Sequence, residues 1–245
     1  MALAPRACPP PGGVRGAGPR RVVSVRAVLN AGGGAQPAGG GLELASALNE
    51  AALAMQNEFF AEDGSGVDYA ALASSGTFAS YVRRAEDLRG MDTAALAGPH
   101  ADEPAARAFW MNLYNALTVH GLAAADPLPR TVLELEGFFR ETKYDVGGAA
   151  MSLDDIEHGV LRGDRPHPSA AAAGAASHFG PSDGRAALAV RAPDPRVHFC
   201  LVCGARSCPP VRLFPSGPPE ALERALRLPP PPPPGVKKRP QKFKK

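Results

Sequence analysis

The stretch VHFCLVCGARSCPP, residues 197–210, concentrates the side chains of this 245-residue chain that could do chemistry. It contains three of the four cysteines, one histidine and one serine: Cys200, Cys203, Cys208, His198 and Ser207. Thiolates and imidazoles bind zinc, two thiols can form a disulfide, and an activated thiolate is a nucleophile. The stretch is therefore compatible with a metal site, a redox pair or a catalytic thiol, and also with cysteines that are buried as small apolar side chains.

The spacing of these residues argues against a metal site. The pattern H-x-C-x2-C-x4-C supplies four formal ligands, but side chains alternate along a strand, so His198 and Cys200 would face one way and Cys203 the other. No glycine or proline turns the chain between residues 200 and 203. We predict no metal centre here, and the sequence indicates no cofactor.

The position of Cys203 suits a catalytic thiol better. Cys203 is predicted to end a strand just before the turn at Gly204, where backbone N–H groups are free to bind an anion. Arg206 adds a fixed positive charge to this turn, and Ser207 follows it, so both are candidate binding residues.

The base for such a thiol has to come from elsewhere in the chain. His198 lies five residues before Cys203 and would face away from it in a straight strand. His158, next to Glu157 in the phrase IEHG, is the better candidate for the base, although a histidine near a helix end is often only a partner of the helix dipole. His198 and Glu157 remain secondary catalytic candidates.

Two amides complete the set of candidates. Asn112 and Asn115 are three residues apart on a predicted apolar helix, so they share one face. Amides in such a place either bind the backbone of neighbouring loops or line a polar pocket, and buried asparagine more often does the former.

A redox pair between Cys203 and Cys208, across the glycine-bearing turn, is the third alternative for the cysteine stretch.

The surrounding pattern predicts an α+β fold, a mainly helical single domain with a small β-sheet. Apolar spacing indicates a helix over 42–60, two short helices between residues 68 and 96, a helix from Pro104 to a C-cap at Gly121, and further helices over 131–140, 152–163 and 219–228. The helix over 152–163 begins like a capping box, with Asp155 three residues after Ser152. KYDVGGAAMS predicts a hairpin around Gly147–Gly148, and ALAVRAPDPRVHFCLV, residues 187–202, predicts two short strands. The run 167–184 is predicted as a loop, either a surface insertion or a flap near a site.

The two ends differ in charge from the part between them. Eleven of the 27 basic residues lie in acid-free ends, which leaves 16 basic and 24 acidic residues in between. That middle part is a poor candidate for nucleic-acid binding. The sequence contains no stretch of 18 apolar residues, so we predict no transmembrane segment.

These ends set the predicted domain bounds. Residues 1–41 are Arg-rich and lack the apolar core of a secretory signal, so they predict a plastid transit peptide with a Gly-rich linker and hence a chloroplast protein of a green alga or plant. Residues 42–228 are the predicted domain, and residues 229–245 are a predicted disordered tail rich in proline and lysine.

Three phrases together resemble the plant, algal and bacterial family of domain of unknown function 547. They are AFWMNLYNALTVHGL at 108–122, FFRETKYDVGGAAMSLDDIEHGVLRG at 138–163 and DPRVHFCLVCGARSCPPVRLF at 194–214. The resemblance covers about residues 42–228 and implies an uncharacterised protein whose biochemical activity is unassigned.

Functional expectations therefore rest on the residues themselves. The leading enzyme hypothesis is a hydrolase or transferase centred on Cys203, with His158, Asn112 and Asn115 in support. The alternatives are a non-catalytic protein-interaction domain that binds an unknown protein partner, and a plastid protein switched by reduction of a bond between Cys203 and Cys208.

Overall fold

In the computed structural model the described residues are 28–32, 41–60, 67–98, 102–125, 129, 132–203 and 212–227. Their α-helices and strands are α1 (Gly41–Phe59), α2 (Tyr69–Ala73), α3 (Gly76–Glu86), α4 (Glu103–Ala123), α5 (Phe138–Glu141), β1 (Lys143–Val146), β2 (Ala149–Ser152), α6 (Pro168–Ala172) and α7 (Pro219–Arg227). A π-helix spans Asp155–Leu161, and 3₁₀ helices span Asp87–Gly90, Ala94–Leu96, Val132–Glu134, Gly184–Leu188 and Pro195–Phe199.

This architecture confirms the predicted fold class. Helices dominate, and β1 and β2 form a two-stranded antiparallel sheet. Apart from residues 28–32 and Gly41, the predicted transit peptide lies outside the described residues, and so does the predicted tail over 229–245.

Helix α4 is the centre of the fold. It begins as predicted, with Pro104 in its first turn and the Asp102 carboxylate accepting a hydrogen bond from the backbone N–H of Ala105 at 3.2 Å. Of its 21 residues 18 are buried, because α1, α2, α7 and the π-helix all pack against it. The predicted C-cap at Gly121 is wrong: the helix runs on to Ala123, and a Cβ at residue 121 would lie 2.6 Å from the Thr142 side chain.

A buried hydrogen-bond network fixes the hairpin to the helices. The hydroxyl of Tyr144 on β1 lies 2.7 Å from Nδ1 of His120 on α4 and 2.9 Å from the hydroxyl of Tyr81 on α3. Burial lowers the pKa of His120 to about 4, so this imidazole is neutral near pH 7. Three elements are thus joined through polar groups that have partners inside the core.

The hairpin and the π-helix form where the sequence predicts them. Gly147 and Gly148 both have positive φ, +60° and +86°, as a two-residue hairpin turn requires. Beyond β2, the Asp155 N–H donates to Ser152 Oγ at 3.0 Å and the Ser152 N–H donates to Asp155 Oδ2 at 2.9 Å. This reciprocal capping box starts a helix, but the helix continues with π-type rather than α-type bonding.

Two sequence predictions of regular elements are wrong. The predicted helix over 131–140 is split into a 3₁₀ turn and α5, with Gly137 at φ +70° between them. The two predicted strands in 187–202 are absent from the described chain there, where Gly184–Leu188 and Pro195–Phe199 are 3₁₀ helices. Asp183 and Asp194 each bind the backbone N–H two residues ahead, which closes a turn that a strand cannot contain.

The predicted loop over 167–184 contains α6 and the first residue of a 3₁₀ helix, and it packs against the π-helix through Phe179. Among the described residues, no helix has both the length and the apolar character needed to cross a membrane.

Candidate functional site

The two amides predicted on α4 bind backbone. Asn112 donates to the Phe214 carbonyl at 2.8 Å and accepts from the Phe214 N–H at 2.9 Å. Asn115 donates to the Cys200 carbonyl at 3.2 Å and accepts from the Val202 N–H at 2.8 Å. Both amides therefore hold the chain on either side of residues 204–211 against α4, which is the first of the two alternatives that the sequence left open.

The cysteine region offers no described thiolate. Cys203 is disulfide-bonded, and a disulfide sulfur is not a nucleophile until it is reduced. Cys200 is a free, buried thiol whose Sγ lies 3.5 Å from an Arg212 Nη2, and burial raises its pKa. Arg206, Ser207 and Cys208 lie outside the described residues, so an activated Cys203 stays a prediction for the reduced chain.

The other catalytic candidates form separate pairs. Nδ1 of His158 accepts a hydrogen bond from Arg162 at 2.6 Å; burial first, and then the Arg162 charge, lowers the pKa of His158 to about 3. This imidazole is a poor base at neutral pH. Glu157 lies on the same π-helix but pairs with Nδ1 of His198 at 3.3 Å and accepts from the Tyr114 hydroxyl at 3.3 Å.

A cavity of about 610 Å³ lies beside the start of the π-helix, where Asp154 and Asp155 line it. Its walls come from α5, both strands, the first residues after β2, and the segment that runs from Pro166 through α6 to Arg185. Sites for small molecules commonly have volumes of about 300–1,000 Å³, so the cavity is large enough for one. The segment over 167–184, predicted as a surface insertion or a flap near a site, supplies much of the wall, and we call it the flap.

An aspartate and a histidine in this wall form a dyad. Asp155 Oδ1 lies 2.8 Å from Nε2 of His178, and both side chains are only 15% exposed. Burial alone would raise the pKa of Asp155, but hydrogen bonds from His178 and Ser152 and the charge of Arg185 outweigh it and lower the pKa to about 2. The carboxylate is therefore ionised at neutral pH.

An ionised carboxylate can only accept hydrogen bonds, and this determines the tautomer of His178. Nε2 has to carry the hydrogen that points at Asp155, so the lone pair of the neutral ring is on Nδ1. Within the described part of the chain, no group is hydrogen-bonded to this Nδ1. The contact with Asp155 thus orients the imidazole of His178 in the cavity wall, as general-base catalysis requires of a base.

The residue next to Asp155 has the opposite environment. Asp154 also lines the cavity, and burial raises its pKa, although the charges of His167 and His178 act against this rise. Two carboxyl groups whose pKa values move in opposite directions commonly take different roles at acid–base sites. The two neighbouring carboxyl groups therefore lie in different environments, and of the two it is Asp155 that contacts the imidazole.

Arg185 supports the dyad rather than a ligand. Its Nη1 donates to Asp155 Oδ2 at 3.1 Å and to the Ala150 carbonyl at 2.8 Å, while its Nη2 donates to Asp183 at 2.7 Å. With its donors engaged in this way, Arg185 fixes Asp155 against the hairpin.

Three imidazoles surround the base of the flap. The ring of His158 lies 4.9 Å from that of His167 and 6.0 Å from that of His178, measured between centroids. Across the described ranges, no group of three or more His, Cys, Asp or Glu side chains could hold a metal ion.

Local sequence patterns did not reveal the residues of this cavity, for two reasons. The spacing of Ser152 and Asp155 predicts a capping box, which is correct but uses only one of the two carboxylate oxygens. His178 lies 23 residues further on, and nothing in local spacing connects the two. The available signal was the unexplained length of the segment over 167–184, which contains His178.

The fold and the cavity define a mainly helical α+β domain with a carboxylate–imidazole dyad. A family model described as "Protein of unknown function, DUF547" matches residues 100–227, just over half of the chain, and the protein belongs to this family. No curated protein and no solved structure gave a significant match.

Proposed function

We propose that the cavity is the active site of a hydrolase or transferase that uses general acid–base catalysis on a small molecule. The observation that carries this proposal is the 2.8 Å contact between Asp155 and Nε2 of His178 in the wall of a cavity of about 610 Å³. The catalytic base is then the imidazole of His178 rather than that of His158, and water or an acceptor hydroxyl takes the place of the Cys203 nucleophile predicted from sequence.

The proposed chemistry balances without a cofactor. Nδ1 of His178 takes a proton from water or an acceptor hydroxyl as its oxygen attacks the electrophilic carbon or phosphorus of the substrate. Asp154, whose pKa is raised by burial, is the proposed donor of a proton to the leaving group as the bond to that group breaks. The proton on His178 then returns to Asp154 through solvent. Asp155 keeps the imidazole oriented and stabilises its charged form.

The test is a turnover screen of the purified chain with chromogenic esters, amides, phosphate monoesters and glycosides. With any substrate that is turned over, Asp154→Asn should lower kcat/KM by about 100-fold or more, because a positioned proton donor contributes about 10²–10⁴-fold. Asp68→Asn is the matched control: Asp68 caps α2 and does not line the cavity. Equal rates in both variants would contradict the assignment, and a folded protein inert on all four substrate classes would favour the interaction domain.

Redox switching is a second candidate function, favoured by the disulfide bond at Cys203. Reduction by a dithiol would transfer two electrons and two protons and release two thiols. We expect dithiothreitol to lower the thermal midpoint of the wild type but not of Cys203→Ser. Cys200→Ser, which removes a free thiol, should keep the dithiothreitol response. The same thermal midpoint of the wild type with and without dithiothreitol would exclude the switch.

The Arg-rich, acid-free N-terminal segment supports a plastid location as a further part of the proposal. Incubation of the full chain with isolated chloroplasts should yield a shorter, protease-protected product. A chain that stays outside the organelle at full length would contradict this location.

A further inference from the structure

We infer that Asp164 is a positioning residue that sets the His178 imidazole against Asp155. This inference rests on the proposed function, since it concerns the base of that site. Asp164 does not line the cavity, and it acts through the backbone at residues 178 and 179.

The first observation is the pair of hydrogen bonds that Asp164 accepts. Its Oδ1 accepts from the N–H of His178 at 3.1 Å and from the N–H of Phe179 at 2.7 Å. Its own carbonyl also lies 3.1 Å from the His178 nitrogen. One residue therefore binds the two successive amides from which the catalytic imidazole and its anchor extend.

The second observation is the backbone of Asp164. Its φ of +60° makes it the only residue other than glycine with positive φ in the described part of the chain. Aspartate tolerates this region better than most residues, but such a conformation persists only where surrounding contacts maintain it. The Asp164 N–H donates to the Gly159 carbonyl at 2.8 Å, which ties this residue to the end of the π-helix.

The third observation is the anchor next to His178. Phe179 is 1% exposed, and a Cβ at Gly159 would lie 2.3 Å from its ring. The ring therefore sits directly on the π-helix backbone, one residue away from His178. Asp164 binds the backbone N–H of His178, and Asp155 binds its ring. The packed ring of Phe179 fixes the next residue of the chain. The imidazole therefore has little freedom to leave the dyad.

The same contacts hold the two ends of the flap together. Residues 165–177 lie between Asp164 and His178 and include Pro166, His167 and Ser177 of the cavity wall. Asp164 joins the two ends of this segment. Loss of its carboxylate should therefore free the flap at its base and the imidazole together.

The experiment is ¹⁵N NMR of the histidine rings in the full chain at neutral pH. The wild type should show His178 with a protonated Nε2 and an unprotonated Nδ1. In Asp164→Gly the glycine tolerates the positive φ, and the side chain with its carboxylate is lost. This variant should show a mixture of the two tautomers. Asp164→Asn, which keeps an acceptor oxygen, should retain the wild-type pattern, and Asp68→Gly should do so as the control for loss of a carboxylate that caps backbone elsewhere.

The outcomes separate this inference from the proposed function. A wild type without the Nε2–H tautomer, or with the same tautomer in Asp155→Ala, which has no acceptor oxygen, overturns the dyad itself. A wild-type tautomer in Asp164→Gly leaves the dyad intact and overturns the role of Asp164. If Asp164→Gly does not fold, amide exchange in the wild type decides: the N–H groups of His178 and Phe179 should exchange slowly, and fast exchange overturns the inference.

Discussion

At the residue scale, Asp155 uses both of its carboxylate oxygens in the candidate site. One oxygen orients His178, while the other accepts from the Ser152 N–H and from Arg185. Local spacing predicted only the contact with Ser152, because capping depends on neighbouring residues. The contacts with His178 and Arg185 depend on the tertiary fold, and no short-range pattern reports them.

The pKa of Asp155 gives a pH prediction at this scale. The folded value of about 2 lies below the ordinary value of 3.8, so folding is stabilised above pH 4 and this contribution is lost as the pH falls from about 4 to 2. After allowance for partial exposure, we expect ionised Asp155 to contribute about 1–2 kcal/mol to the free energy of unfolding above pH 4. Urea unfolding of wild type and Asp155→Asn at pH 2, 4 and 6 checks this: the difference in unfolding free energy should shrink towards pH 2. A constant difference would mean that the Asp155 charge does not stabilise the fold.

At the element scale, the π-helix places the site. It begins at Asp155, carries Glu157 and His158, and approaches the flap so closely that Gly159 has no room for a side chain. Helices of this type occur often at functional sites. The sequence predicted a helix here from its capping box, but the shift from α-type to π-type bonding depends on tertiary packing and could not be read from it.

Gly159→Ala tests this packing. The added methyl would lie 2.3 Å from the Phe179 ring and 3.0 Å from His178 Cδ2, so we expect a loss of about 1–3 kcal/mol in unfolding free energy. Gly76→Ala on α3 meets nothing within 4 Å and should be neutral or stabilising by up to about 1 kcal/mol. Chemical denaturation measures both. Equal stabilities of the two variants would show that the flap does not rest on the π-helix as described.

The errors at this scale share one cause. The runs over 131–140 and 187–202 have apolar residues at helix-like and strand-like spacing, yet backbone binding by Asp183 and Asp194, and the positive φ at Gly137, decide the structure. Long periodic segments such as α1 and α4 were predicted well because their burial pattern repeats over several turns. Short segments follow their turn chemistry instead.

At the scale of the whole molecule, the folding unit is larger than the family match. The match covers 100–227, but one buried cluster runs from Leu48 on α1 to Leu226 on α7. Helices α1 and α2 cover a face of α4 that would otherwise meet water. The bounds predicted for the domain, residues 42–228, stay a prediction.

We therefore expect a fragment of residues 100–227 not to fold by itself, because it would expose the side of α4 that contacts α1 and α2. A fragment of residues 28–227 should melt cooperatively. Circular dichroism at 222 nm against temperature compares the two. Cooperative melting of the shorter fragment at the same midpoint would show that residues 41–98 are dispensable for the fold.

The central claim, that His178 is the catalytic base of the cavity, is tested most directly by kcat/KM of His178→Gln beside His198→Gln with a substrate found in the screen. His198 pairs with Glu157 and does not line the cavity. We predict that His178→Gln still folds and lowers kcat/KM by about 100-fold or more, while His198→Gln stays within about 2-fold of the wild type. A folded His178→Gln variant with wild-type kcat/KM would contradict the claim.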